Sequence, residues 1–110
     1  MNEELIPILR VADAAAAVRW YERLDFVKES EHRFEPHLPA FVGIARSAVR
    51  IFLSEHLGDA RPDTLVYLRV HDVDEVAREF GVVPEEAPWG REIELRDPDS
   101  NRLRIGTPPR

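Results

Sequence analysis

The sequence predicts an α+β domain built from two βαβββ halves, eight strands in a cupped mixed sheet with one helix in each half. Three observations carry that reading. Leu9-Arg10-Val11-x-Asp13 returns as Leu68-Arg69-Val70-x-Asp72, an offset of 59 residues in a chain of 110. The echo falls both times where a β-rich run gives way to a capped amphipathic helix. Each helix is then followed by three further β-rich runs, which divides one domain at about 3–55 and 64–107.

Leu5 to Val11 reads as a short apolar strand, in which Pro7, lacking an N–H, belongs at an edge or a hinge. Asp13 supplies an N-cap acceptor, and Ala14, Ala17, Val18, Tyr21 and Leu24 recur at spacings of three and four, which puts them on one helix face. The runs Phe26 to His32, Ala40 to Ile44 and Ala48 to Ser54 complete the first half, and Glu55 to Asp63 is a solvated connector containing Gly58 and Pro62. In the second half Leu65 to Val70 is a strand, and Asp72 caps a helix that buries Val73, Val76, Ala77 and Phe80 and stops at Gly81. Val82 to Glu85, Glu92 to Arg96 and Arg102 to Gly106 are the closing strands, with Asp97-Pro98-Asp99-Ser100-Asn101 as a polar turn. Two helices are too few to cover both faces of so many strands, so one sheet face is left for a ligand, a second chain or both.

Composition narrows the function. Lys and Arg number 15 against 21 Asp and Glu, a net charge of −6 without a basic block, so a nucleic-acid partner is not expected. Cysteine is absent, which removes disulfides, thiolate metal sites and a cysteine nucleophile. Charge-free runs such as Pro39 to Ala45 are far below the roughly 18 residues of a membrane span, and Met1-Asn2-Glu3-Glu4 lacks a basic signal region, so the expectation is a cytoplasmic protein. No G-x-S-x-G elbow or phosphate-binding glycine loop is present. His32-x-x-Glu35-x-His37 has the composition of a metal cluster, but it lies in a Pro-bearing loop rather than on one helix face and reads as exposed, as do His56 and His71. Phe34, Phe41, Phe52, Tyr67 and Trp89 are more informative. A lone Trp commonly packs in a core, yet Pro88 and Gly90 around Trp89 equally suit a ring presented at a rim.

Taken together, Leu9-Arg10-Val11-x-Asp13, Trp20-Tyr21-x-x-Leu24-x-Phe26 and Asp97-Pro98-Asp99-x-Asn101 resemble the vicinal oxygen chelate superfamily of glyoxalase, bleomycin-resistance and dioxygenase proteins. Ile6-Pro7-Ile8-Leu9, Ser54, Asp63-Thr64-Leu65 and above all Pro88-Trp89-Gly90-Arg91-Glu92 are similar to the bleomycin-resistance branch. The resemblance implies a duplicated βαβββ fold assembled as a homodimer that exchanges its N-terminal strand, with Pro7 in the crossing arm. The family's metal ligands would fall at or within a residue of Ile6, Ile51, Leu65 and Arg104, where no suitable donor stands, so neither metal nor other cofactor is expected. The function implied is sequestration of a bleomycin-type or similar flat, cationic antibiotic in clefts at the dimer interface, lined by Glu29, Phe41, Ser54, Tyr67 and Trp89. Phe34 stands in for an aromatic that the family carries at Ser30. The competing expectation is a superfamily enzyme, a lyase or dioxygenase holding an unusual metal set drawn from His32, His37 or His56.

Overall fold

The computed structural model describes residues 2–109. Element order follows the duplicated pattern: β1 (Ile8–Arg10), α1 (Ala14–Glu22), β2 (Val27–His32), β3 (Phe41–Arg46) and β4 (Val49–Ser54) form the first half. The second comprises β5 (Leu65–Arg69), α2 (Val73–Phe80), β6 (Glu85–Ala87), β7 (Gly90–Arg96) and β8 (Arg102–Thr107). Hydrogen bonding divides the eight strands into two sheets of four, ordered β1-β4-β3-β2 and β5-β8-β7-β6, rather than one continuous ladder. In each half the first strand pairs parallel with the last, and the other neighbours run antiparallel.

Both repeats of the strand-to-helix junction fold alike because the same chemistry recurs. Asp13 accepts from the Ala16 N–H, and Asp72 accepts from those of Asp74 and Glu75, which satisfies amide groups left open at each helix start. Alternation then sends Leu9, Val42, Ile44, Ile51 and Leu53 to the α1 side, and Leu68, Ile93, Leu95, Leu103 and Ile105 into the same continuous core. Pro7 precedes the edge strand β1, its carbonyl accepting from Phe52 N at 3.0 Å.

Two local readings are corrected and a third is extended. Val82 to Glu85 is not a strand: the Val82 amide donates to the Ala77 carbonyl at the end of α2, Val83 is exposed, and Pro84 has no donor, so pairing starts at Glu85. Glu55 is no solvated connector. Its two carboxylate oxygens accept from Ala14 N at 2.8 Å and Ala40 N at 2.9 Å, tying the start of α1 to the entry of β3. The Asp97–Asn101 turn is polar as expected, and its buried ends, Asp97 and Asn101, clasp the two halves. Asp97 accepts from Tyr21 Oη at 2.8 Å, from the amides of Asp99 and Asn101, and from Asn101 Nδ2, which also donates to the Arg10 carbonyl. Asp99 in turn accepts from Ala12 N at 2.8 Å.

Candidate functional site

Each helix packs on one face of its sheet, and strand alternation assigns a second set of side chains to the other face. On the first sheet that set includes Ile8, Arg10, Phe41, Arg50 and Phe52. Phe41 pairs across the ladder with Ser54, and its ring meets Phe52 diagonally with centroids 5.0 Å apart. A register shift between Lys28 and Ser30 puts Glu29 on this side as well, where it accepts from Arg50 Nε at 2.7 Å. The same guanidinium reaches Glu4 at 2.7 Å, so the segment before β1 is pinned to β4.

On the second sheet the face without a helix carries Leu65, Tyr67, Arg69, Glu92, Glu94, Arg102 and Arg104. Glu94 accepts from Arg102 and Arg104, and hydrogen bonding from these cations, Arg102 foremost, holds its carboxyl below the usual range. Trp89, in the turn between β6 and β7, is 51% exposed and donates its indole N–H to Glu92 Oε2 at 3.0 Å. Its position depends on Gly90, whose φ of 151° brings the chain against the Thr107 carbonyl, where any Cβ would collide. A hollow of about 550 Å³ is lined by Val82, Val83, Glu85, Trp89, Glu92 and Arg104. Tyr67 lies in a second depression of about 370 Å³, between the middle of β5 and residues 4–7. Partial burial, followed by the charge and hydrogen bonding of Glu92, raises its phenol above the ordinary tyrosine range.

The residues singled out by sequence therefore occupy two sheets. Glu29, Phe41 and Ser54 belong to the first and Tyr67 to the second, with Trp89 in the turn that joins two strands of that second sheet. Ser54 is fully buried, with its hydroxyl bonded to Asp59 at 2.5 Å and accepting from His56 N. Phe34 is 74% exposed in the loop after β2, its ring edge-on to His32 at 4.7 Å. Phe52 and Glu92 were not among the predicted site residues. Phe52 alternates with the buried Ile51 and Leu53, and that period-two pattern is the signal that could have assigned it to the open face.

Residues at the family's metal positions do not fit a cation. Ile51 faces the core, Ile6 and Leu65 offer hydrocarbon, and the Arg104 guanidinium is engaged with Glu94. Among the described residues no three His, Asp or Glu side chains are grouped to hold a metal ion, and His32 and His37 are both exposed. No helix among them is long and apolar enough to cross a membrane.

The fold and these faces define a class: paired βαβββ modules with an aromatic, helix-free face on each sheet and no metal donor set at the equivalent strand positions. The chain belongs to the glyoxalase superfamily, whose family description, "Glyoxalase superfamily protein", it matches over residues 1–108. No curated protein matches it. Among solved structures it is similar to TnmS3, an antibiotic-binding protein from Streptomyces sp. CB03234, at 20% identity and a TM-score of 0.79, covering 99% of this chain and 98% of that one. A bleomycin resistance determinant encoded on the transposon Tn5 gives 21% identity and a TM-score of 0.78, with 97% and 98% covered. The bleomycin-binding protein of the bleomycin producer Streptomyces verticillus, complexed with copper(II)-bleomycin, gives 26% identity and a TM-score of 0.72, with 99% and 100% covered. These likenesses extend to the whole fold, bleomycin-resistance proteins included.

Proposed function

We propose that this protein is a metal-independent, stoichiometric binding protein of the cytoplasm, and that it sequesters a flat, cationic antibiotic of the bleomycin type in clefts formed by a homodimer. The observation that supports this best is the pair of helix-free faces, Phe41 and Phe52 on one sheet and Tyr67 and Trp89 on the other, with Glu29 on the first face and Glu92 against the indole on the second. Flat rings stack on such side chains, and a tethered cation is drawn to the carboxylates. One sheet supplies half of an aromatic enclosure, so a second copy that brings its opposite sheet to bear would complete a cleft. Exchange of the arm through Pro7 would fix that assembly. Glu29 and Phe34 complete the proposed lining; Ser54, expected there from the resemblance, is buried and bonded to Asp59 and takes no part. The absence of a donor at Ile6, Ile51, Leu65 and Arg104 favours binding over the lyase or dioxygenase chemistry of other superfamily members.

The test is a tryptophan-fluorescence titration with a bleomycin-type drug, before and after chelator treatment, with light scattering at micromolar concentration. Saturation at one drug per subunit, unaffected by chelator, on a dimer is the expected result. A monomer, or tightly bound zinc, nickel, manganese or iron whose removal abolishes binding, would overturn the reading.

A further inference from the structure

We propose that Glu92 is the residue that receives the ligand's cationic group, positioned between Trp89 and Tyr67 over the bare backbone of Gly106. The inference rests on the reading that the helix-free faces bind a cationic ligand, and it names the group that selects the charge.

Four features set Glu92 apart. First, its carboxylate is oriented by a neutral donor, the Trp89 indole N–H at 3.0 Å, which fixes the group without cancelling its charge. Second, Glu92 forms no ion pair among the described residues, although arginines surround it. Arg102 and Arg104 are drawn to Glu94, Arg91 on the other side of β7 pairs with Asp74 and Glu86, and Arg69 lies over the Tyr67 ring at 6.0 Å from its centroid.

Third, Glu92 pairs across the ladder with Gly106. A Cβ at Gly106 would run into the Tyr67 hydroxyl and stand 3.2 Å from Glu92 Cβ, so the missing side chain is what lets the phenol lie beside this carboxylate. Fourth, Glu85 stands directly opposite Glu92 on β6, and like charges in that position repel each other. A cation seated in the adjoining hollow of about 550 Å³, which Glu85, Trp89 and Glu92 line, relieves the repulsion while contacting the indole.

A carboxylate walled by an indole and a phenol selects a quaternary ammonium or protonated amine attached to a flat group. It rejects an anion and gives a neutral ring nothing beyond stacking.

The experiment follows the Trp89 indole N–H resonance, assigned by its loss in Trp89→Phe, while the full chain is titrated with phenyltrimethylammonium or its neutral near-isostere, cumyl alcohol. The wild-type protein should bind the cation about tenfold more tightly than the alcohol. Glu92→Gln keeps a hydrogen-bond acceptor and removes the charge, so it should abolish the preference for the cation over the alcohol. Gly106→Ala should weaken the cation by displacing Tyr67, with circular dichroism checking that each variant is folded.

A preference that survives in Glu92→Gln, or one absent from the wild type, overturns the inference. A bleomycin-type drug in a parallel titration separates the two proposals. Equal drug binding by wild type and Glu92→Gln leaves sequestration standing and removes Glu92 from it. A Glu92-dependent preference for phenyltrimethylammonium without drug binding supports the Glu92 assignment and rejects the drug.

Discussion

Replacing Tyr21 by Phe removes a single oxygen from the clasp between the halves, and its cost should depend on pH in a way that only a buried phenol explains. Tyr21 is fully buried, edge-on to Trp20 and Phe26, and donates to Asp97 at 2.8 Å. Burial, then the Asp97 charge and hydrogen bond, raise its pKa far above the ordinary value. The folded phenol therefore keeps its proton where the unfolded one, near pH 10, releases it. Its contribution is complete below about pH 10 and declines above, at about 1.4 kcal/mol per pH unit for one proton. At neutral pH, Tyr21→Phe loses one hydrogen bond to a buried carboxylate that keeps three other donors, costing about 1.5–3 kcal/mol. The variant has no phenol to titrate, so for a penalty of about 2 kcal/mol the two stability curves should meet near pH 11.5. Urea unfolding from about pH 8 to 11.5 measures the gap. A difference that stays constant over this range would show that the phenol is not held neutral by burial.

Glu55→Ala should lower stability by about 1–3 kcal/mol, seen in thermal melting, because it strands the amides of Ala14 and Ala40. Trp89→Ala should weaken drug binding by about 1–3 kcal/mol, roughly ten- to a hundredfold, while the melting temperature stays nearly constant, since the ring is half exposed. A large stability loss with unaltered binding would make Trp89 a core residue instead. Gly90→Ala should cost more than the roughly 1 kcal/mol of an ordinary glycine replacement, because the new methyl meets the Thr107 carbonyl.

What the sequence revealed and concealed follows the range of the interactions involved. Both helix starts were legible because Asp13 and Asp72 act on amides within three residues of themselves. Strand faces were legible wherever apolar and polar residues alternate, as in β4 and β8. Glu55 was misread because the amides it serves stand 41 and 15 residues away, and no local pattern marks a carboxylate for such a task. Asp97 to Asn101 was correctly read as a polar turn, but the burial of Asp97 and Asn101 left no local signal, since it depends on Tyr21 and Arg10, 76 and 91 residues distant. Val82 and Val83 have strand chemistry, but α2 claims the Val82 amide and Pro84 interrupts pairing. Of the site, the aromatic types could be identified from sequence. Their division between two sheets could not, because it depends on which strands hydrogen-bond.

That division leaves four sheet margins, at β1, β2, β5 and β6, and each discourages growth of the ladder in its own way. β1 and β6 are three residues long, the first introduced by Pro7 and the second bracketed by Pro84 and Pro88. β2 is irregular where it shifts register and studded with Lys28, Glu29 and Glu31. β5 alone is regular and uncharged over Leu65 to Leu68, and the groove beside it is bordered by residues 4–7. Displacing residues 4–7 would widen the approach to the one margin able to recruit a foreign strand. The same short segment would thus guard the chain against fibrous association.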